Sequence, residues 1–260
     1  MSETALITGS SNGIGYELAK VHAEKGDNLV LVARNKSKLD ELKKEIEVKH
    51  KISVYTIGKD LSLPGAAKEV YDELIQNNIS IDYLINNAGF GDFGFFAESD
   101  WNKQEQMINL NITTLVHFTW LFLPDMIKRG SGKIMNVAST ASFQPGPTMS
   151  VYFASKAFVL SFSEAVNNEV RDKGITITAL CPGATHSGFQ AAAAMEDSKL
   201  FEGNNFPSSR EVAEYGYKAM MKGKAVAIHG LKNTLLANSV RFIPRSLAVI
   251  AARKIQEKKY

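Results

Sequence analysis

Tyr152 and Lys156 stand four residues apart in the stretch SVYFASKAF. A phenol and an ammonium at this spacing can transfer a proton, because a nearby positive charge stabilises the phenolate and lowers the pKa of the phenol from about 10. A lowering of about three units corresponds to roughly 4 kcal/mol of preferential stabilisation. Reduction of a carbonyl uses such a group, since it needs a hydride at carbon and a proton at oxygen.

The chain contains two further Tyr-x-x-x-Lys matches, so spacing alone does not select the working pair. Tyr16 and Lys20 fall in a predicted surface helix after a glycine-rich loop. Tyr55 and Lys59 lie on a predicted strand and its exit, where four residues span roughly 13 Å and the side chains do not meet. The pair in SVYFASKAF combines one helical face with a preceding strand that ends at Ser139, and we predict that it performs the chemistry.

Strands and helices alternate along the chain, and this alternation predicts the fold. Short apolar, β-branched runs predict strands at residues 4 to 8, 28 to 33, 52 to 57, 81 to 86, 133 to 138, 175 to 180 and 225 to 228. Segments of helical period lie between them. The pattern favours right-handed crossovers and an α/β fold with a doubly wound, mainly parallel sheet of about seven strands, covered by helices on both faces.

No linker rich in Pro, Gly or Ser divides this alternation, so we predict one catalytic domain over residues 1–230. Within it, residues at about 187–207 fall beyond the carboxyl end of a predicted strand and are expected to form a substrate lid. Residues 231–260 are predicted to form a basic, amphipathic helical extension. Its seven basic residues and one acidic residue give it a net charge of +6.

Two arrangements of this extension stay open. Its apolar faces either pack on the protein's own core or on a partner subunit, or they lie on an anionic membrane surface, where each Lys or Arg contributes about 1 kcal/mol. In the second arrangement the protein makes peripheral membrane contact through its C-terminal tail.

Composition limits the remaining classes of function. The chain of 260 residues, 45% hydrophobic and 22% charged, can bury a substantial core. Its net charge of +3 is too small to indicate nucleic acid, and its single cysteine, Cys181, rules out an intrachain disulfide and a Cys-rich metal site. We expect no nucleic acid and no metal. Without a signal-peptide pattern or ~18 consecutive apolar residues, we expect a cytoplasmic protein.

A glycine-rich loop, TGSSNGIG, follows the first predicted strand and places Gly9, Gly13 and Gly15 at the start of the first helix. Glycines let the chain turn sharply and let backbone amides approach a diphosphate, while the helix N-terminus supplies positive potential. Such a loop also occurs in ordinary strand-to-helix turns. Its position at the first βα junction favours a dinucleotide site.

The spacing Gly-x-x-x-Gly-x-Gly, combined with other motifs in a characteristic order, resembles the short-chain dehydrogenase/reductase family. Those other motifs are NNAG at 86 to 89, Asn111, Ser139, YFASK at 152 to 156 and CPG at 181 to 183. The resemblance runs from residue 4 to about residue 230. It implies a single-domain, Rossmann-type oxidoreductase with a nicotinamide cofactor, assembled as a homodimer or homotetramer.

The resemblance also assigns roles to individual residues. Tyr152 would be the proton donor, Ser139 would hydrogen-bond the substrate oxygen, Lys156 would supply charge and bind the nicotinamide ribose, and Asn111 would position a water that leads protons to Lys156. The implied cofactor-binding set is Gly9, Ser11, Asn12, Gly13, Ile14, Gly15, Arg34, Asp60, Leu61, Asn87, Ala88, Gly89, Tyr152, Lys156, Pro182, Gly183, Thr185 and Ser187.

The end of the second predicted strand bears on the choice of cofactor. In this family an acidic residue there accepts hydrogen bonds from the adenosine ribose and repels a 2′-phosphate. Here Ala33 occupies that position and Arg34 follows it, offering a planar cation for a phosphate. The sequence therefore predicts NADP(H). An NAD-preferring dehydrogenase of the same fold and a non-catalytic NADPH-sensing protein stay open as alternatives.

Aromatic and aliphatic residues at 90 to 96 and at 189 to 206 indicate an apolar substrate. We therefore expect hydride transfer between NADP(H) and a small-molecule carbonyl or secondary alcohol. A 3-oxoacyl, steroid-like or aliphatic compound would fit these segments.

Overall fold

A computed structural model of the chain describes residues 2–186 and 206–256. In this described part, seven parallel strands form one sheet in the order β3-β2-β1-β4-β5-β6-β7. The strands are β1 (Thr4–Thr8), β2 (Asn28–Ala33), β3 (Val54–Gly58), β4 (Tyr83–Asn86), β5 (Gly132–Val137), β6 (Ile175–Cys181) and β7 (Val226–Ile228). The predicted doubly wound parallel sheet is confirmed.

Helices cover both faces of the sheet. Those preceding the C-terminal extension are α1 (Gly13–Lys25), α2 (Lys36–Lys49), α3 (Ala66–Gln76), α4 (Trp101–Ile108), α5 (Leu115–Arg129), α6 (Ser150–Val170) and α7 (Ser209–Met221). One apolar core includes residues of α1, α2 and α7, and a second, on the opposite face, includes residues of α3 and α5. Each strand serves both cores because successive side chains point to opposite faces.

Burial on both faces explains why the strands are continuous apolar runs. In β1, Ala5 and Ile7 belong to one core and Leu6 to the other, and all three are fully buried. A strand whose two faces are covered has no polar, solvent-facing position to maintain. The short runs that predicted the strands are therefore the product of this three-layer packing.

Three strands begin later than the sequence pattern predicts, β3 and β4 by two residues and β7 by one. Just before β3, the Ser53 N–H donates to the Asn28 side chain at 2.9 Å. Just before β4, the Asp82 carboxylate accepts a hydrogen bond from the Thr4 N–H at 2.9 Å. In both places a side-chain oxygen, and not a backbone carbonyl, accepts one hydrogen bond near the start of the strand. Of the predicted lid at 187–207, only residues 206 and 207 are among the described residues, and Ser187 lies outside them.

The C-terminal extension forms α8 (Leu231–Ser239) and α9 (Arg245–Gln256), separated by a short 3₁₀ turn and Pro244. Small residues of these helices are buried, whereas the large apolar residues are mostly exposed, and Phe242 is 86% exposed. The large apolar residues therefore do not pack on the protein's own core. Among the described helices, none has both the length and the apolar character that crossing a membrane requires.

Candidate active site

The order of the strands reverses beside β1, and a crevice opens there at the carboxyl ends of the strands, where doubly wound sheets bind ligands. The cavity measures about 910 Å³. The predicted residues that line it are Gly9, Ser11, Asn12, Gly13, Ile14, Arg34, Asp60, Leu61, Asn87, Ala88, Gly89, Ser139, Tyr152, Lys156, Pro182, Gly183 and Thr185. Gly15 and Asn111 lie directly behind this wall, as their contacts show.

The glycine loop between β1 and α1 needs glycine for two reasons. Gly9 and Gly13 have φ angles of 67° and 57°, which side chains rarely adopt. A Cβ on Gly15 would lie 2.4 Å from the Gly9 carbonyl oxygen and also 2.4 Å from the side-chain nitrogen Nδ2 of Asn87. The loop thus brings the N-terminus of α1 tightly against the ends of β1 and β4.

Polar groups at this junction fit an anionic dinucleotide. Asn87 Nδ2 donates to the Thr8 carbonyl at 2.8 Å, and the Ala88 N–H donates to Thr8 Oγ1 at 2.9 Å, so the two strand ends are tied together. The first turn of α1 carries no acidic residue, which leaves its positive end uncompensated. Ser10 Oγ is buried without a hydrogen-bond partner among the described residues. The loop therefore presents donors where a diphosphate would sit.

Three cations lie near the end of β2. Arg34 and Lys38 are exposed on the rim of the crevice. The Lys59 backbone N–H donates to the Ala33 carbonyl at 3.0 Å, which brings Lys59 to the same rim, and its ammonium is paired with the Glu69 carboxylate. Burial tends to raise the pKa of Asp60, but the Ser62 hydrogen bonds and the Arg34 charge leave that pKa below its usual value. This end of the crevice suits an adenosine that carries an additional phosphate.

Tyr152 and Lys156 lie on one face of α6 and are both buried at the other end of the crevice. The Lys156 Nζ is 5.9 Å from the centre of the Tyr152 ring and donates to the Val137 carbonyl at 2.7 Å. Burial lowers the pKa of Lys156 to about 8. The end of β5 therefore fixes the position of the ammonium relative to the phenol.

The chain alone does not lower the pKa of Tyr152; the expected lowering also depends on the positive charge of an oxidised nicotinamide. Burial raises the pKa of Tyr152 to about 12, although a hydrogen bond with the Ser139 hydroxyl acts in the opposite direction. The Lys156 ammonium, bound to a backbone carbonyl, does not reverse this effect. The chain by itself thus keeps the phenol protonated, which is the state that a proton donor needs for carbonyl reduction.

Asn111 lies on a π-helical stretch, Asn109–Thr114, inserted between α4 and α5. Its Nδ2 donates to the Phe90 carbonyl at 3.0 Å and to Ser155 Oγ at 3.1 Å. A Cβ on Gly89 would be 2.9 Å from Asn111 Oδ1 and 3.4 Å from the Lys156 Nζ. Asn111 and Lys156 therefore flank Gly89, and local widening of a helix of this kind is frequent at functional sites.

The tyrosines of the other two pairs lie away from the crevice. Tyr16 and Lys20 both donate to the Glu45 carboxylate at 2.9 Å. The Tyr55 hydroxyl donates to Glu73 at 3.0 Å, and of that pair only Lys59 lines the crevice. Among the three pairs, the pair on α6 is therefore the one whose two members both line the described crevice.

The wall beyond Tyr152 is largely apolar and includes Phe90, Met149, Phe153 and Ala252. Ala252 belongs to α9, and no sequence pattern connected it with the site. Lys38 and Lys59 were also missed, although Lys38 stands one helical turn after Arg34. Among residues 2–186 and 206–256, no group of three or more His, Cys, Asp or Glu side chains could hold a metal ion.

The family model described as short chain dehydrogenase matches residues 3–197. The very-long-chain 3-oxoacyl-CoA reductase of Homo sapiens is 34% identical over 188 residues, which are 70% of this chain but only 59% of that protein. A short-chain dehydrogenase from Sphingobium yanoikuyae in complex with NADPH superposes with a TM-score of 0.82 at 31% identity, covering 92% of this chain and 94% of that one.

A bulky-bulky ketone specific alcohol dehydrogenase from Comamonas testosteroni has a TM-score of 0.79 at 30% identity, with 92% of both chains covered. These similarities span the glycine loop, the sheet and α6. The chain therefore belongs to the short-chain dehydrogenase/reductase family, whose members are nicotinamide-dependent oxidoreductases acting on CH–OH and carbonyl groups.

Proposed function

We propose that the protein transfers a hydride between NADP(H) and an apolar carbonyl compound or secondary alcohol. One observation carries the proposal: a single crevice joins a glycine cradle suited to an anionic dinucleotide with the buried Tyr152, which is hydrogen-bonded to the half-buried Ser139. Under this proposal, cofactor binding and proton donation occupy the two ends of one site.

In the direction of reduction, a nicotinamide held in the crevice beside Tyr152 and Lys156 would supply a hydride to the carbonyl carbon. Ser139 donates a hydrogen bond to the carbonyl oxygen and holds it beside the phenol. Tyr152 gives its proton to that oxygen, so that C=O plus hydride plus proton becomes CH–OH. Lys156 stabilises the phenolate that remains, and a water positioned near Asn111 leads a proton back towards Lys156.

The preference for NADP(H) rests on charge at the end of β2. Ala33 has a small, uncharged side chain at the position where a carboxylate would repel a 2′-phosphate. The same position is near three basic residues, Arg34, Lys38 and Lys59. The N-terminus of α2, at Lys36, adds positive potential from the helix dipole. A phosphate bound here gains charge-assisted hydrogen bonds that NADH cannot make.

The substrate class rests on the apolar wall beyond Tyr152. Phe90, Met149 and Phe153 offer an aliphatic or aromatic surface of the kind that a 3-oxoacyl chain or a steroid-like ring system would cover. Similarity to a very-long-chain 3-oxoacyl-CoA reductase and to a bulky-bulky ketone specific enzyme favours a large apolar ketone. We also propose a cytoplasmic location and a homodimer or homotetramer.

Steady-state rates with NADPH and NADH against 3-oxoacyl thioesters, bulky ketones and steroid ketones test the proposal. The Tyr152→Phe variant is expected to lose nearly all turnover while its NADPH affinity stays close to normal, because only the proton donor is removed. Tyr16→Phe is the matched control, since Tyr16 has the same Tyr-x-x-x-Lys spacing but binds Glu45 on the surface.

The alternatives give different results in the same assays. NADPH binding without turnover of any substrate would identify a non-catalytic sensor, and equal or better turnover with NADH would identify an NAD-preferring dehydrogenase. More than a few per cent of wild-type kcat in Tyr152→Phe would show that another group is the acid.

A further inference from the structure

Exposed large apolar side chains are concentrated in the C-terminal extension. Leu231, Leu235, Leu236, Phe242, Leu247 and Ile250 have exposed fractions of 52 to 86% and together are named the tail surface. Isolated exposed apolar residues are ordinary, but a group of this kind within twenty residues marks an interaction site.

The charges along the tail surface are mostly positive. Residues 231–256 contain Lys232, Arg241, Arg245, Arg253 and Lys254 and no Asp or Glu, and the sequence adds Glu257 and two more lysines before its last residue. One acidic residue from elsewhere, Glu164 of α6, lines a small pocket together with Arg241. Helices that lie in a membrane interface combine an apolar face with Lys and Arg in this way. The centre of a protein–protein interface is instead depleted of charge.

A second copy of the chain is a poor occupant for this surface. A two-fold axis would place the same patch against itself and bring its like cations together, with no Asp or Glu among residues 231–256 to offset them. An anionic lipid surface offers the opposite charge to the exposed cations of this segment. Charge complementarity therefore favours the lipid surface.

The tail surface also lies beside the crevice. In α9, Ala248 and Ala252 are buried on one face and Ala252 lines the cavity, whereas Leu247 and Ile250 are about half exposed. In α8, the Asn233 side chain packs against Gly183, and a Cβ on Gly183 would be only 2.5 Å from Asn233 Nδ2. The two helices thus connect the crevice to an apolar, basic exterior.

We infer that the tail surface docks the protein on an anionic membrane, with the substrate end of the crevice next to the bilayer. Docking follows from the surface alone. Its purpose, the entry of apolar substrates from the lipid phase, rests on the proposed function. Each Lys or Arg near the headgroups contributes about fivefold to partitioning, and the contribution falls as salt is added.

Co-sedimentation of the full chain with vesicles tests the inference. We expect binding to phosphatidylcholine mixed with phosphatidylserine and little binding to phosphatidylcholine alone. Phe242→Glu and Leu247→Glu should abolish it, and Arg245→Gln should weaken it about fivefold. Val48→Glu is the matched control, because Val48 is 87% exposed on α2, away from the tail surface. This variant should bind the vesicles as the wild type does.

Three outcomes would overturn the inference: a wild-type chain that stays in the supernatant, an equal loss in Val48→Glu, or an oligomer that Phe242→Glu dissociates without any vesicle binding by the wild type. The last outcome would assign the surface to a second copy. Turnover of a water-soluble ketone, measured on the same samples, should be the same in all variants. A wild type that binds vesicles but reduces nothing would refute the proposed function and leave docking in place.

Discussion

Replacing Arg34 by alanine removes one cation from the crevice rim at the end of β2. Because Arg34 is exposed, its long-range field is screened by salt, and its effect on a bound phosphate comes mainly from direct contact. A charge-assisted hydrogen bond of this kind contributes about 1.5 to 3 kcal/mol, which corresponds to about tenfold to a hundredfold in affinity. We expect kcat/KM for NADPH to fall by that factor and kcat/KM for NADH to change little.

Lys36→Ala separates direct contact from a general loss of charge. Lys36 lies two residues further along and is also exposed, but its Nζ bonds Thr56 Oγ1 at 3.0 Å and Asp40 at 3.2 Å. It does not line the described crevice. The two variants have the same net charge, so the difference between them isolates the contact made by the guanidinium.

The assay is kcat/KM for both cofactors in wild type, Arg34→Ala and Lys36→Ala, at low and moderate salt with one substrate. Equal values for NADPH and NADH in the wild type would refute the argument at its start. A loss in Lys36→Ala as large as that in Arg34→Ala would show that only the summed field matters, and a parallel loss with NADH would place Arg34 elsewhere on the cofactor.

Three further predictions concern the same crevice. Ala33→Asp should shift preference towards NADH, because the carboxylate accepts ribose hydrogen bonds and repels a 2′-phosphate; an unchanged ratio of kcat/KM values would contradict this. The pKa of Lys156, about 8, predicts that kcat/KM for reduction is full at lower pH and falls as pH rises through that value, since the charged form is the useful one. Lys156→Arg should move this fall to higher pH. A pH profile identical to that of the wild type would show that another group causes the fall in kcat/KM. Gly89→Ala should cost about 0.5 to 1.5 kcal/mol in unfolding free energy, because its Cβ displaces Asn111 Oδ1 from the Phe90 N–H; denaturant midpoints that do not change would show that the amide adapts freely.

Local pattern was enough to predict a parallel sheet and the positions of its seven strands along the chain. The apolar runs that predict strands are short because both faces of each strand are buried, and that constraint is visible in the sequence itself. The glycine loop was predictable for a similar reason, since a sharp turn from strand to helix favours glycine locally, and Gly9 and Gly13 do have positive φ angles. Tyr152 was separable from Tyr55 because element type fixes which side chains share a face. It was separable from Tyr16 because only the pair at 152 and 156 follows a strand that ends at Ser139.

Other features depended on residues far apart in the chain. Lys59 joins Arg34 only because β2 and β3 are parallel neighbours whose carboxyl ends meet at one edge of the sheet. The environment of Tyr152 follows from burial on α6, which raises a pKa that the neighbouring lysine was expected to lower. The fate of the C-terminal extension was undecided in sequence, because an amphipathic pattern shows that a face needs a partner but does not identify it. Tertiary structure decided that Ala252 of α9 lines the crevice and that Leu247 and Ile250 face outward, since burial depends on what else occupies the space.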